Sequence, residues 1–208
     1  MRFRHVKVWP FVGENYKKEM PWGLRVMILG EAHYFKEPLY AGSTKDVVQD
    51  MLYKKPYQHW MNLFAKTVGV FRDGWSSRES RRSFWSSVVF YNFIQETVGD
   101  TPGIRPSEEM WQKAGPAFEE VLMEYKPGFV LVLGEDVWKH LPRCSEPGPM
   151  VVLPDGQTRE SRLYLNDAGY AFTFRINHPS SPGGWSYKTW TPWVQAALRA
   201  AIEFQGAH

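Results

Sequence analysis

The sequence predicts a single α/β domain over residues 1–208, built as a three-layer αβα sandwich around a central, mainly parallel sheet of four strands. Two observations predict this class: short apolar runs of the kind found in buried strands, and helical patterns that separate those runs. Strands that alternate with helices are typical of a parallel sheet covered on both faces. The 43% content of hydrophobic residues fits one domain with a sizeable core.

Four short apolar runs predict the strands of this sheet. Each run is rich in Val, Ile, Leu or Phe and is continuous rather than alternating with polar residues, which is typical of a strand buried on both faces. A glycine or an asparagine follows each run and marks the point where the strand ends. The runs lie at residues 25–29 (RVMIL), 88–91 (VVFY), 129–133 (FVLVL) and 170–176 (YAFTFRI).

Helical periodicity predicts the layers that cover the sheet. Apolar residues recur on one face over residues 111–125 and again over 193–202. Gly115-Pro116 could break the first of these helices in two, because proline removes a backbone donor. A shorter helix is predicted over residues 136–141.

A small β-ribbon is predicted near residues 150–165, inserted before the last strand. Residues 150–153 and 162–165 flank Asp155-Gly156, and an Asp-Gly pair between two such runs indicates a tight turn. The ribbon could reshape or enlarge a pocket beside it.

The composition excludes several classes of protein. No apolar run approaches the length of a transmembrane helix, and the first ten residues lack the apolar core of a signal peptide. We therefore expect a cytoplasmic location without a membrane partner. Cys144 is the only cysteine, so neither an internal disulfide nor a cysteine-held iron–sulfur cluster fits within one chain. We expect no metal, no organic cofactor and no obligate protein partner.

The charge distribution is more informative than the total charge. The net charge of +3 is only mildly basic and does not indicate nucleic-acid binding. Residues 54–82, however, are rich in lysine and arginine with aromatic residues between them. A basic, aromatic surface suits phosphates and exposed bases, although a solvated charged face fits the same pattern.

Polar residues of chemical interest follow the predicted strand ends. Glu31 follows the first strand, Asn92 the second, Glu135 the third, and Asn177-His178 the fourth. In open α/β sheets, ligands bind beyond the carboxyl ends of the strands. These residues, although distant in sequence, are therefore expected to share one site.

Each of these residues has a chemical and a structural interpretation. The carboxylate of Glu31 could stabilise positive charge or orient water, or it could be a solvated loop residue. The amide of Asn92 could read the polar edge of a base, or it could cap a loop. His178, which precedes a rigid proline, could donate a hydrogen bond to an anionic leaving group, or it could be structural. Ser180 and Ser181 could cap a helix or bind phosphate.

Together, Gly30-Glu31-Ala32, Asn92 and His178-Pro179-Ser180 resemble, in order and spacing, the motifs of the uracil-DNA glycosylase superfamily. Residues 130–134 (VLVLG) also look like the third strand of that family. The resemblance implies an enzyme that flips a damaged or modified pyrimidine, uracil by default, out of double- or single-stranded DNA. It implies hydrolysis of the N-glycosidic bond with Glu31 and His178 as catalytic residues, and recognition of the base by Asn92.

The resemblance also assigns residues around the base and the DNA. Tyr34 matches a tyrosine that excludes the methyl group of thymine, and Tyr40 is the candidate to stack on the flipped base. Trp185 or Tyr187 is the candidate to fill the gap left in the DNA. Ser180, Ser181 and Lys188 are expected to contact the DNA beside that gap.

Two positions depart from the family pattern. Ala32 stands where some branches carry an aspartate that activates water, and His33 stands where proline is usual. Branches with Gly-Glu-Ala at this point commonly hold an iron–sulfur cluster, for which this chain lacks the cysteines.

Three other functions remain open. The same fold could serve as an antiviral defence glycosylase that excises a modified base, such as glucosylated hydroxymethylcytosine, from phage DNA. It could also be a non-catalytic DNA-binding module. A serine hydrolase using Ser180 or Ser181 ranks last, because the chain lacks a Gly-x-Ser-x-Gly motif.

Overall fold

The computed structural model describes residues 3–53, 58–72, 74, 77–101, 103–181 and 185–207. Several residues of the basic, aromatic segment lie outside these ranges: Lys54, Lys55, Tyr57 and Trp75. In the first half of the described chain the elements are β1 (Phe11–Val12), β2 (Val26–Gly30), α1 (Ser43–Tyr53), a 3-10 helix (His59–Met61), α2 (Asn62–Arg72), α3 (Arg78–Ser86) and β3 (Val88–Asn92).

The second half of the described chain carries the long helices and the ribbon. Its elements are α4 (Glu108–Tyr125), β4 (Phe129–Leu133), α5 (Glu135–His140), β5 (Glu146–Pro147), β6 (Val151–Val152), β7 (Thr158–Arg159), β8 (Arg162–Asn166), β9 (Gly169–Ile176) and α6 (Tyr187–Gly206). All four predicted strands are present, as β2, β3, β4 and β9. No helix in the described ranges has the length and apolar character needed to cross a membrane.

The main sheet is mixed and has seven strands in the order β1-β3-β2-β4-β9-β8-β5. Its inner strands β3, β2, β4 and β9 run parallel, whereas β1, β8 and β5 pair antiparallel at the edges. The predicted α/β class with a mainly parallel sheet is confirmed, but the predicted number of four strands is wrong. The outermost strands β1 and β5 have two residues each, too short to leave a pattern in the sequence.

The inserted ribbon is present but smaller than predicted. Strand β6 pairs antiparallel with β7, with Val152 opposite Thr158. The run at 162–165, expected as the second strand of the ribbon, instead forms β8 and pairs with β9 in the main sheet. Leu163 and Tyr164 are both buried, on opposite faces of the sheet, so burial on two sides holds this run in the sheet rather than in an exposed ribbon.

Helices cover both faces of the sheet. Val26 and Ile28 of β2 point into a core formed with α1, α2, α3 and α6. Met27 and Leu29, which alternate with them, point into a second core formed with α4 and α5. The burial of each of these side chains stabilises the folded state by about 1.5–3 kcal/mol, because apolar surface is removed from water. Burial on both faces explains why β2 reads as a continuous apolar run.

The long helices start at serine caps. Ser107 accepts a hydrogen bond from the backbone N–H of Met110 at the start of α4, and Ser186 caps α6 in the same way. Helix α4 continues through Pro116 to Tyr125, so the break considered at Gly115-Pro116 does not occur. Helix α6 begins at Tyr187, one turn and a half before the predicted start.

Candidate functional site

The parallel register brings the polar strand ends to one edge of the sheet. Gly30 at the end of β2 is the register partner of Asn92 at the end of β3. Leu133 at the end of β4 is likewise the partner of Ile176 at the end of β9. The residues that follow these strands, including Glu31 and His178, therefore emerge at the same edge, as the sequence predicts.

The carboxylate of Glu31 is held by two side chains. The Tyr34 hydroxyl donates to one carboxylate oxygen at 3.0 Å, and the Arg105 guanidinium donates to the other at 2.9 Å. The Glu31 side chain is only 13% exposed. Burial, together with the charge and hydrogen bond of Glu31, raises the pKa of Tyr34 to about 12. Tyr34 is therefore a hydrogen-bond donor to Glu31 at neutral pH.

Arg105 is a site residue that sequence reasoning missed. It lies in the loop before α4, and the nitrogen that binds Glu31 also donates to Asp136 in the first turn of α5 at 2.5 Å. Burial acts to lower the pKa of Arg105, but the charges of Glu31 and Asp136 outweigh it and raise the pKa. Arg105 thus ties two strand-end segments together. No motif marks it, because only the fold brings this loop to the sheet edge.

The side chain of Asn92 lies over the backbone of Gly30. A methyl group at position 30 would approach Asn92 Oδ1 to under 3.0 Å, so the amide occupies the space that the glycine leaves free. The backbone carbonyl of Asn92 accepts a hydrogen bond from Gln95, whereas its side-chain amide has no hydrogen-bond partner within the described ranges. Asn92 is buried, and its amide carries both donor and acceptor groups.

The imidazole of His178 has a defined tautomer. Its Nδ1 accepts a hydrogen bond from the backbone N–H of Ser180 at 3.3 Å, so a neutral ring carries its proton on Nε2. The Cβ of His178 would lie only 3.6 Å from a side chain at Gly134. Gly134 has a φ of 118°, in the region that favours glycine.

His178 lies within electrostatic range of the Glu31 cluster, which we define as Glu31, Tyr34, Arg105 and Asp136. Burial lowers the pKa of His178 below its ordinary value of 6.5, the carboxylate of Glu31 opposes this, and the positive charges of Arg105 and Lys66 add to it. The imidazole is therefore neutral at pH 7. Groups from the segments after β2 and β9, from α2 and from the loop before α4 all act on this one ring.

Helix α2 holds the segment after His178. The Lys66 ammonium donates to the carbonyl of Pro179 at 2.7 Å and lies 5.2 Å from the ring centre of Trp185. The Trp185 indole donates to the carbonyl of Asn177, and the Tyr187 ring contacts the edge of Trp185 and fills the space over Gly69. Trp185 and Tyr187 are both half-buried. Their expected insertion into DNA remains a prediction, and it would require these contacts to open.

The other predicted DNA contacts lie near this segment. Ser180 and Lys188 are exposed and Ser181 is half-buried. Residues 182–184, which connect Ser181 to Trp185, lie outside the described residues. The roles of these side chains at DNA remain predictions.

Tyr40 has partners of its own. Its ring is 58% exposed and lies against Gly42, and its hydroxyl donates to Asp46 of α1. In the described part of the chain, no hydrogen bond or ring contact joins Tyr40 to Glu31 or His178. Its expected stacking on a base remains a prediction.

The contacts of His33 are those of a structural residue. Its Nε2 hydrogen-bonds to the hydroxyl of Thr44 at 2.9 Å, and its ring stacks on Phe35. Burial lowers the pKa of His33 to about 4, so this side chain is neutral and links the loop after β2 to α1.

No protein-family model matches the chain, and no curated protein matches it either. The resemblance to uracil-DNA glycosylases therefore depends on the motifs and on where the fold places them. Among the described residues, no group of three or more His, Cys, Asp or Glu side chains could hold a metal ion.

Proposed function

We propose that this protein is a DNA glycosylase, which extrudes a modified pyrimidine, uracil by default, and hydrolyses its N-glycosidic bond to leave an abasic site. One observation carries the proposal: a carboxylate, Glu31, and a neutral imidazole, His178, lie within electrostatic range of each other at the carboxyl edge of a parallel sheet. The Asn92 amide, which has no hydrogen-bond partner among the described residues, emerges at the same edge.

Glu31 supplies the negative charge that this reaction needs. Breaking the N-glycosidic bond builds positive charge on the sugar and negative charge on the departing base. A carboxylate has about four lone-pair sites, and Tyr34 and Arg105 take one on each oxygen of Glu31. The remaining sites stabilise the sugar cation or orient the attacking water. Because Arg105 and Tyr34 fix the carboxylate beforehand, little reorganisation is required during the reaction.

His178 stabilises the departing base. The Ser180 N–H occupies Nδ1, so the Nε2–H of the neutral ring donates to the oxygen on which negative charge develops. A hydrogen bond from a neutral donor stabilises this anion without requiring a protonated histidine. The low pKa of His178 is therefore compatible with this role.

Asn92 and Tyr34 form the recognition part of the proposal. The amide of Asn92 offers a donor and an acceptor, which match the acceptor and N–H groups on the edge of uracil. Tyr34 lies beside Glu31, where its ring would exclude a larger pyrimidine. Flipping the nucleotide costs a few kcal/mol, which stacking and hydrogen bonds in the pocket offset.

The test is a substrate panel with matched variants. Single- and double-stranded DNAs that contain uracil, hypoxanthine, xanthine or glucosylated hydroxymethylcytosine are incubated with the protein, and abasic sites are cleaved with alkali. We expect cleavage of at least one substrate, reduced by roughly 10²–10³-fold in Glu31→Ala and in His178→Ala. Glu109→Ala, which removes an exposed carboxylate of α4, is the control.

The outcomes separate the candidate functions. Cleavage of the glucosylated substrate alone assigns the defence function. Salt-dependent DNA binding without cleavage of any substrate assigns the non-catalytic module. Cleavage that persists unchanged in folded Glu31→Ala and His178→Ala rejects the assigned catalytic residues.

A further inference from the structure

A polar cavity opens beside the last residues of β9. It has a volume of about 430 Å³ and lies between β7, the end of β9 and α6. Strand β8 pairs with β9 only as far as Thr173, so the last residues of β9 pair with β4 on one side and border this opening on the other. The cavity is lined by the aromatic residues Phe174 and Trp193 and by the polar residues Gln157, Thr158, Arg159, Glu160 and Arg175.

Arg159 is the unusual member of this lining. Its guanidinium lies 4.9 Å from the ring centres of both Trp190 and Trp193, and its buried Nε has no hydrogen-bond partner among the described residues. In the described part of the chain, its side chain has no ion-pair partner. Burial lowers the pKa of Arg159, the like charge of Arg175 acts in the same direction, and the negative charge of Glu135 opposes both.

The acidic side chains near the cavity are already engaged. Glu160 accepts a hydrogen bond from the indole of Trp138 at 2.8 Å, and Glu135 pairs with Arg175. Partly buried arginines are normally paired with carboxylates. Arg159 instead lies against two aromatic rings and brings its positive charge, without an ion-pair partner in the described part of the chain, to a cavity of ligand size.

We propose that this cavity binds the phosphate of a nucleotide, with the Arg159 guanidinium as the anion contact. Arginine suits phosphate because its planar donors match the phosphate oxygens. The exposed side chains of Gln157 and Thr158 add further hydrogen-bonding groups to the lining.

The position of the cavity indicates where this phosphate comes from. Arg175 precedes His178 by three residues, which span at most about 11 Å. The inference therefore rests on the proposed function: in bound DNA, the phosphate belongs to a nucleotide that neighbours the flipped one. A free nucleotide offers the same chemistry, and the experiment distinguishes the two sources.

The test measures binding, not cleavage. Fluorescence anisotropy follows a labelled single-stranded oligonucleotide at several salt concentrations, and calorimetry compares thymidine monophosphate with thymidine. Arg159→Gln is compared with Arg199→Gln, which removes an exposed arginine of α6 that does not line the cavity. Thr158→Glu adds a negative charge to the exposed wall and leaves Arg159 and its two tryptophans in place.

We expect Arg159→Gln and Thr158→Glu to weaken oligonucleotide binding at least about tenfold. We also expect Arg159→Gln to reduce the salt dependence by about one phosphate contact, a slope change of roughly 0.7, while Arg199→Gln matches the wild type. If Arg159→Gln and Thr158→Glu weaken the binding of thymidine monophosphate but not that of the oligonucleotide, the cavity binds a free nucleotide. The inference is wrong if folded Arg159→Gln, Thr158→Glu and Arg199→Gln bind both ligands as the wild type does.

The failure of this inference and the failure of the glycosylase proposal can be distinguished. If no substrate is cleaved but binding depends on Arg159, the cavity inference holds and the glycosylase proposal fails. If a substrate is cleaved and binding does not depend on Arg159, only the cavity inference fails.

Discussion

Two carboxylates in this protein each gather several hydrogen-bond donors, but the donors differ in kind. Glu120 of α4 accepts from the backbone N–H groups of Arg4, His5 and Val6, and it also bonds to the His5 ring. Glu31 accepts from the side chains of Tyr34 and Arg105.

The difference indicates what each carboxylate does. Backbone donors belong to a chain segment whose path they define, so Glu120 fixes the N-terminal segment against α4. The donors to Glu31 are side chains from separate loops, and the neighbouring Asn92 amide has no partner in the described ranges. Glu120 therefore serves the fold, whereas the role that we propose for Glu31 is chemical. Three experiments would break or sharpen this comparison.

The largest effect is expected from Gly30→Ala. The added methyl group would displace the Asn92 side chain, which it would otherwise approach to under 3.0 Å. We expect cleavage to fall by about 10–100-fold, because a displacement of about 1 Å can cost that much, and stability to fall by about 1–3 kcal/mol. Single-turnover cleavage and urea unfolding measure the two effects.

Gly206→Ala is the matched control. Its added methyl group would meet nothing within 4 Å at the end of α6, so both quantities should remain at wild-type values. If Gly30→Ala loses stability but cleaves normally, the position of the Asn92 side chain matters only for the fold. The sheet edge would then have a structural role like that of Glu120.

A smaller effect, on stability alone, is expected from Glu120→Gln. The change removes a charge that strengthens the hydrogen bonds to the N-terminal segment, so we expect a loss of about 1 kcal/mol at pH 7 with cleavage unchanged. Hydrogen exchange at the amides of Arg4, His5 and Val6 should accelerate. Slower cleavage at unchanged exchange would contradict the assigned role.

The stability difference between the wild type and Glu120→Gln should depend on pH in a defined direction. Burial acts to raise the pKa of Glu120, but the hydrogen bonds from His5, Val6 and Arg4 outweigh it, and the pKa is lowered. A lowered pKa contributes stability that is complete above the unfolded-state value of about 4.3. This stability is lost as the pH falls through the folded-state pKa. The difference between wild type and Glu120→Gln should therefore vanish in acid.

The smallest effect is a pair of opposite shifts in the titration of His178, measured by NMR at its ring protons. Arg105 lowers and Glu31 raises the pKa of His178. We therefore expect Arg105→Gln to raise this pKa and Glu31→Gln to lower it, whereas Glu120→Gln should leave it unchanged. Shifts of the same sign in the first two variants would show that the Glu31 cluster does not act on the imidazole as described.

The sequence was sufficient to predict the inner strands and the edge of the sheet at which the polar residues after them emerge. Burial on both faces gives β2, β3 and β4 continuous apolar runs, and parallel pairing then brings Glu31, Asn92 and His178 to the same edge. The outermost strands could not be predicted in this way, because β1 and β5 have two residues each. Strand β8 was assigned to the ribbon because an Asp-Gly turn precedes it.

The partners of Glu31 were beyond the reach of the sequence. Arg105 lies 74 residues from Glu31 in a loop without periodicity, and Asp136 is one of several acidic residues near a strand end. Only the packing of α4 and α5 against the sheet places both beside Glu31. Contacts between loops depend on tertiary structure, which local pattern does not encode.

The position of β9 also bears on synthesis. The ribosome makes this strand after the other described strands, yet it lies between β4 and β8 inside the sheet. A nascent chain therefore contains Glu31 and Asn92 well before His178 exists, and its β4 lacks a neighbour on one side until β9 arrives. Pairing between distant segments is generally slow, and a chain that ends before β9 lacks His178, so the polar edge of the sheet can be completed only after nearly the whole described chain has been made.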